Sequence, residues 1–361
     1  MSLPPAKLLA SFDTLPVVPA SEYDVDLSYE TLCAFSFRCF CKQTALRVAA
    51  RSAWRATMTL NGKPLLSGLV DDVNLDEERE ADSLRIGGRE SAAAAADCDC
   101  IDPADYSGLP LAVAAPKIFL PFKLKLKLGP LAAKIICTDK ALGQRPLDWL
   151  RHAADEAGLI VWTDPALGVI YLDDAAVLLA AARAKPPIRL ARIPGFAGNN
   201  IESFVYRDEK AKKMNTVVGT GHVKVSALTR TAAATQQIPA WAQSLPLPDA
   251  RPPADPQLAD YRPMTIEPRV DDAATAAKAA RRALNKRAAE AYTISYVVAG
   301  LTDKTGAPYS HLRMAEVADA EQGIYGSFFV KACRYQSHRQ VKGEFKICTT
   351  LDLIDPGVLA A

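Results

Sequence analysis

The sequence predicts an α+β chain dominated by strand: two β-barrel domains, a helix-hairpin domain between them, and a helix inserted in the C-terminal half. Three observations carry that class. Segments alternating apolar with polar residues crowd 1–103 and again 199–361, the two barrel regions. The intervening 104–198 holds an amphipathic helix followed at once by two short strands. An alanine-rich run over 271–292 supplies the inserted helix.

Taken in order, Glu22–Leu27 alternates acid with apolar and reads as the first strand. Cys33–Cys41 alternates again, with Phe35, Phe37 and Cys39 on one face and Ser36 and Arg38 on the other. Trp54–Leu60 and Pro64–Val70 form a hairpin around Asn61-Gly62, the dipeptide that best accepts the positive φ angles of a type I′ turn. The second strand runs on through Asp71–Asp76 to a solvated acidic turn, Glu77-Glu78-Arg79-Glu80. Ser83–Arg89 returns as a third strand, burying Leu84 and Ile86, and Ser91–Asp97 reads as a short helix capped by Ser91.

This stretch resembles the central baseplate hub proteins of contractile-tailed phages, the Mu-like late control type. That family carries a Leu-x-Gly-x-Val-Asp hairpin, then an Ile-x-Gly-Arg strand leading into Asp-Cys. The matching residues here are Leu66-Ser67-Gly68-Leu69-Val70-Asp71, Ile86-Gly87-Gly88-Arg89 and Asp97-Cys98. The likeness runs thinly from about residue 22 to 355. The resemblance implies a structural, non-enzymatic homotrimer in the virion's tail baseplate, assembled in the host cytoplasm and using no cofactor. It implies an adaptor joining a six-fold tail tube to a three-fold central spike, with tube, spike and wedge proteins as partners.

In the middle region Ile118–Leu128 reads as one strand, with Leu120, Phe122, Leu124, Leu126 and Leu128 on one face and Lys123, Lys125 and Lys127 on the other. A lysine row of this kind is usually a solvated edge guarded against wrong pairing, and it could also grip an acidic neighbour. Pro146–Gly158 is an amphipathic helix, with proline in its first turn and glycine at its end. Strands Leu159–Thr163 and Gly168–Leu172 follow. Leu147, Leu150, Ala154, Gly158 and Leu159 resemble the hub family's helix before a hairpin, with one difference in register.

Farther on, Asn199–Asp208 and Met214–Gly221 read as strands. The span 238–256 is proline-rich and aperiodic, an extended loop expected to be held by a neighbouring subunit, with Trp241, Pro246 and Pro248 as contacts. Tyr261–Ile266 resembles a hub-family strand, and Ala279, Arg282, Ala283 and Arg287 fit its helix loosely. Tyr292–Leu301, Leu312–Asp319, Gly323–Tyr335 and Lys342–Leu353 complete the C-terminal strands. Gly343, Leu351 and Leu353 stand near the family's closing pattern, from which Lys346 and Cys348 depart.

A chain of 361 residues with a net charge of +2 has room for several cores and no bulk attraction to a polyanion. The sequence therefore predicts no specific nucleic-acid binding, no membrane span and no secretory leader. The eight cysteines lack Cys-x-x-Cys spacing, so no metal site is expected, and buried thiols are the ordinary outcome. Within Cys39/Cys41 or Cys98/Cys100 a bridge is strained, so any disulfide in a mature particle would join Cys98 or Cys100 to a partner elsewhere. None of the four histidines (152, 222, 311 and 338) joins a catalytic constellation. The rival classes are a tail-associated peptidoglycan hydrolase, which needs a carboxylate or nucleophile in a cleft, and an OB-like nucleic-acid-binding module, which needs a basic face with stacking aromatics.

Overall fold

The computed structural model describes residues 7–13, 18–19, 22–40, 44–77, 82–137, 141–196, 198–208, 216–219, 234–237, 263–266, 282–283, 286–287, 289–290, 292–339 and 345–359. The N-terminal strands are β1 (Leu8–Phe12), β2 (Val18–Pro19), β3 (Glu22–Ser28) and β4 (Ala34–Phe40). Helix α1 (Thr44–Arg51) leads into β5 (Arg55–Leu60), β6 (Lys63–Glu77) and β7 (Asp82–Glu90). Asn61 and Gly62 take φ of 51° and 77°, as the type I′ turn requires, and Phe35, Phe37 and Cys39 are buried together as their spacing predicts.

The middle layer holds α2 (Ala93–Asp97), α3 (Leu111–Phe119), β8 (Lys125–Leu128), α4 (Pro146–Glu156), β9 (Ile160–Asp164), β10 (Val169–Asp173) and α5 (Ala175–Arg183). Its three strands run in the order β8-β10-β9, with β8 parallel to β10. The C-terminal part contributes β11 (Ile188–Arg192), β12 (Ile201–Asp208), β13 (Thr216–Gly219), β14 (Ala234–Gln237) and β15 (Pro263–Ile266). It closes with β16 (Tyr292–Ala299), β17 (Met314–Asp319), β18 (Ile324–Arg339), β19 (Phe345–Ile354) and α6 (Pro356–Leu359).

Both ends of the chain share one 13-stranded sheet among the described residues, ordered β12-β16-β19-β18-β3-β4-β7-β6-β5-β1-β2, with β17 and β11 branching from β18. The joint is β18. Its first half pairs with β17, its second half pairs with β3 along the same edge, and β19 covers the other edge. The expectation of two barrel domains rests on the alternating segments at each end of the chain, and β18 belongs to both. At 16 residues it is long enough to serve both halves. No ladder closes either half among the described residues. Asn200, just before β12, binds β11 by its backbone N–H to the Ala191 carbonyl at 3.1 Å and by its side chain to Ala191 and Arg189.

The large sheet buries one core running from Leu8 to Leu353, including Phe37, Met58, Leu66, Tyr296, Tyr335 and Leu351. A second core lies under α2, α3 and α4. A third joins β9 and α5 to Tyr29, Phe329, Ile354 and Leu359, and so seats the middle layer on the sheet.

Two local expectations are corrected. The stretch from Ile118 is not one strand: α3 continues through Phe119, a 3₁₀ turn covers Leu120–Phe122, and the strand starts at Lys125. Leu111, Ala114, Ala115, Ile118 and Phe119 bury a helical stripe, which outweighs the period-two pattern in its last residues. Ser91 does not cap α2; its hydroxyl donates to the Ser67 carbonyl at 3.2 Å. Of the inserted helix, residues 282–283, 286–287 and 289–290 are described and helical. The proline-rich span 238–256 lies outside the described residues.

Candidate interaction surface

Arg89 brings together the three motif segments that are separate in sequence. A register shift between Val70 and Asp72 on β6 leaves Asp71 as the extra residue of a bulge. At the end of β7 the Arg89 guanidinium donates to both Asp71 oxygens, at 2.6 and 3.2 Å. The same group donates to both Asp97 oxygens at the end of α2, at 3.1 and 2.6 Å. One guanidinium thus ties the sheet to the middle layer through two bidentate contacts. Asp97 is held below the usual carboxylate range, first by the Arg89 hydrogen bonds.

Next to it, Glu90 is buried and accepts from the Cys33 backbone N–H at 2.9 Å. Burial raises its carboxyl to about 6, and hydrogen bonds from Thr163 and Cys33 partly oppose the rise. That is a general acid's titration without access to a substrate. Replacing Arg89 by methionine is expected to cost about 1–2 kcal/mol, because all three partners are partly solvated and water takes over some of the contacts. The shift in urea midpoint measures it, and an unchanged midpoint would show that the clamp contributes nothing.

The lysine row falls on a sheet edge. Lys123, with φ 55°, ends the 3₁₀ turn, and Lys125 and Lys127 follow on β8, which among the described residues pairs with β10 alone. All three are exposed, while Leu124, Leu126 and Leu128 pack against the second core. Lys127 sits 5.2 Å from the centre of the Tyr171 ring, which stacks on Trp162 at 5.2 Å.

The outer face of the large sheet is polar. Arg334 pairs with Asp26 at 2.8 Å, Arg38 with Glu22 at 3.6 Å and Lys346 with Glu202 at 3.0 Å. A shallow cleft there is lined by Asp24, Ser36, Arg85 and His338 among others. In these three pairs each base is set against an acid.

The seven described cysteines are free within one chain. Cys39 is buried in the large-sheet core and Cys100 in the second core, apart from each other, while Cys98 is exposed. Cys41, Trp241, Pro246 and Pro248 lie outside the described residues. Among the described residues no cluster of three or more His, Cys, Asp or Glu side chains is placed to hold a metal, and no helix is long and apolar enough to cross a membrane. His152 faces Glu156 at 3.5 Å on α4, and His338 lies in the polar cleft with Ser36 and Ser337.

Arg89 and Glu90 as a paired fastening were not singled out from sequence. The Arg-x₇-Asp spacing and the extra Asp71 were present but meant nothing without the bulge.

The whole fold has counterparts among solved structures. A tail protein from Neisseria meningitidis MC58 superposes with a TM-score of 0.77 at 18% identity, over 99% of this chain and 98% of that one. The fold is that of a phage tail protein. The 43 kDa tail protein of prophage MuSo2 from Shewanella oneidensis gives 0.71 at 15% identity, over 98% and 99%. A component of the E. coli type VI secretion system, described as similar to bacteriophage T4 tail proteins, gives 0.54 at 10% identity, over 96% and 76%. No protein-family model and no curated protein sequence matches the chain.

Proposed function

We propose that this chain is the structural hub of a phage tail baseplate, a trimeric adaptor joining a six-fold tube to a three-fold spike. The observation that carries the reading is the end-to-end likeness to the tail protein from Neisseria meningitidis MC58, over 99% of this chain and 98% of that one. Each copy brings an N-terminal and a C-terminal half-sheet joined through β18, so three copies around an axis present six strand-rich units. Work is then done by broad surfaces. Exposed Ile101, Leu120, Leu131, Ile136 and Leu142, all on the middle layer, suit such contacts. We assign Lys123, Lys125 and Lys127, with Trp241, Pro246 and Pro248 of the proline-rich span, to contacts with neighbouring copies or with tube, spike and wedge proteins. The place of action is the virion's tail, after assembly in the host cytoplasm, and the role is non-enzymatic.

The expected result is a particle of about 116 kDa, three times 38.8 kDa, by light scattering at tens of micromolar. Monomer in solution, together with no cross-linked trimer from assembled tails, would refute the proposal.

A further inference from the structure

We infer that the exposed face of α3 packs against the segment 97–105 of a second copy of this chain; this rests on the trimer proposed above and names its contact. Helix α3 is apolar on two sides. One side buries Leu111, Ala114, Ala115, Ile118 and Phe119 in the second core. The other side, residues 112, 113, 116 and 117 with 120 in the turn that follows, is exposed and carries Lys117 as its single charge. Val113 is 44% and Leu120 73% exposed there, and Ile136, held opposite Pro110 at the start of the helix, is 50% exposed. A helix that is apolar on both sides is stable when both are covered.

The rims of the face identify its occupant. Residues 117–134 carry five lysines and no acid, and no carboxylate among the described residues pairs with Lys123 or Lys134. Residues 97–105 carry four aspartates and no base. At their centre Ile101 is 85% exposed, the highest value for a large apolar side chain among the described residues, and Leu142 stands beside it through the bridge to Cys100. An apolar knob ringed by acids therefore matches an apolar face rimmed by lysines. Asp97 is engaged by Arg89, so Asp99, Asp102 and Asp105 supply the charge. Asp102 accepts from the Tyr106 hydroxyl and the Ala104 N–H, and Asp105 from the Ser107 N–H. Those donors are neutral and leave the charge on the carboxylates.

Within one chain the two patches border each other without covering each other. Asp102 binds Tyr106, and Lys117 sits 5.9 Å from the centre of the Tyr106 ring, so this trio marks the border. Ile101 beside Asp102 and Leu120 beyond Lys117 both stay solvated. Identical subunits close a ring through two different patches on each copy, here one basic and one acidic. The charges set the register, and burial of the apolar centres supplies the affinity.

The test is sedimentation of the full chain, joined to a thiol cross-link. Ile101→Asn and Leu120→Asn change side chains that are solvated within their own chain, so unfolding curves should stay unchanged. Each should weaken trimerisation by about tenfold or more. High salt should weaken the wild-type trimer through the rims. Should an asparagine variant not fold, alanine at the same position replaces it. Cys98 is exposed in the acidic segment. A short bismaleimide should therefore join Leu120→Cys chains into covalent dimers and trimers, and adding Cys98→Ser should abolish them. A wild-type chain that is never a trimer removes the trimer reading and this contact with it. A trimer indifferent to both substitutions, or one whose cross-links are absent or persist without Cys98, overturns the contact and leaves the trimer standing.

Discussion

A Gly88→Val protein is expected to lose about 3 kcal/mol or more of stability, and Gly88→Ala somewhat less. Gly88 lies on β7 between Phe35 of β4 and Val70 of β6. A Cβ built there would press into the Leu69 carbonyl oxygen and the edge of the Phe35 ring. The ring can swing a little, but the carbonyl belongs to the β6 backbone just before its bulge and cannot move without breaking the ladder. Valine adds two methyls in the same place. Moving β6 would also disturb Asp71, and with it the Arg89 clamp on the middle layer. Urea unfolding of Gly88→Ala alone and with Phe35→Leu separates the two obstacles. The double variant should recover only part of the loss, because it relieves the ring and not the carbonyl. Full recovery would show that the backbone approach is not the constraint.

That site also marks the boundary of what could be read from sequence. The Asn61-Gly62 turn, the Phe35/Phe37/Cys39 face and α4 from Pro146 were legible because each is fixed by residues adjacent or periodic in the chain. Strand existence in the C-terminal part was legible for the same reason. Helix α5 went unread: in Ala175–Arg183 nearly every residue is apolar, so no face stands out, and its N-cap Asp174 was the one local signal. Pro121 and the alternating lysines concealed the end of α3, because two patterns of different period overlap at Ile118 and Phe119. The continuity of the sheet was out of reach. It depends on β18 offering one edge to β17 and then to β3, a pairing of residues about 300 positions apart. Of the candidate surface, the lysine row was visible as a row. Its place at the edge of the three-stranded sheet follows from tertiary placement alone.

The second large effect is expected in acid and comes from His311. Its ring is buried, and neither nitrogen has a hydrogen-bond partner among the described residues. The surrounding segment is tightly held. Tyr335 donates to the Tyr309 carbonyl, Lys185 to the Leu312 carbonyl at 3.3 Å, and Arg313 to Pro186 and Pro308, while Leu312 takes a φ of 56°. The charge that acts on the ring is a cation, Lys185, just beyond α5, and Arg313 is a second cation on its own segment. Burial, with Lys185 adding to it, lowers the imidazole from 6.5 to about 3. The folded state keeps the ring neutral while the unfolded chain binds a proton below 6.5. Stability is therefore complete above pH 6.5 and falls as pH drops toward 3, by about 2 kcal/mol at pH 5. Glu90 acts in the opposite sense. Its raised carboxyl contributes stability below 4.5 that is lost as pH rises through about 6, so acidification to pH 5 returns about 1 kcal/mol. A His311→Leu variant isolates the histidine, since Glu90 is common to both proteins and cancels. At pH 7.5 the variant should match or exceed the wild type, having removed two unpartnered polar atoms. At pH 5 its advantage should widen by about 2 kcal/mol on the same urea transition. A constant difference between the two pH values would refute this, as would a native-state His311 resonance titrating near 6.5, a measurement that needs no variant.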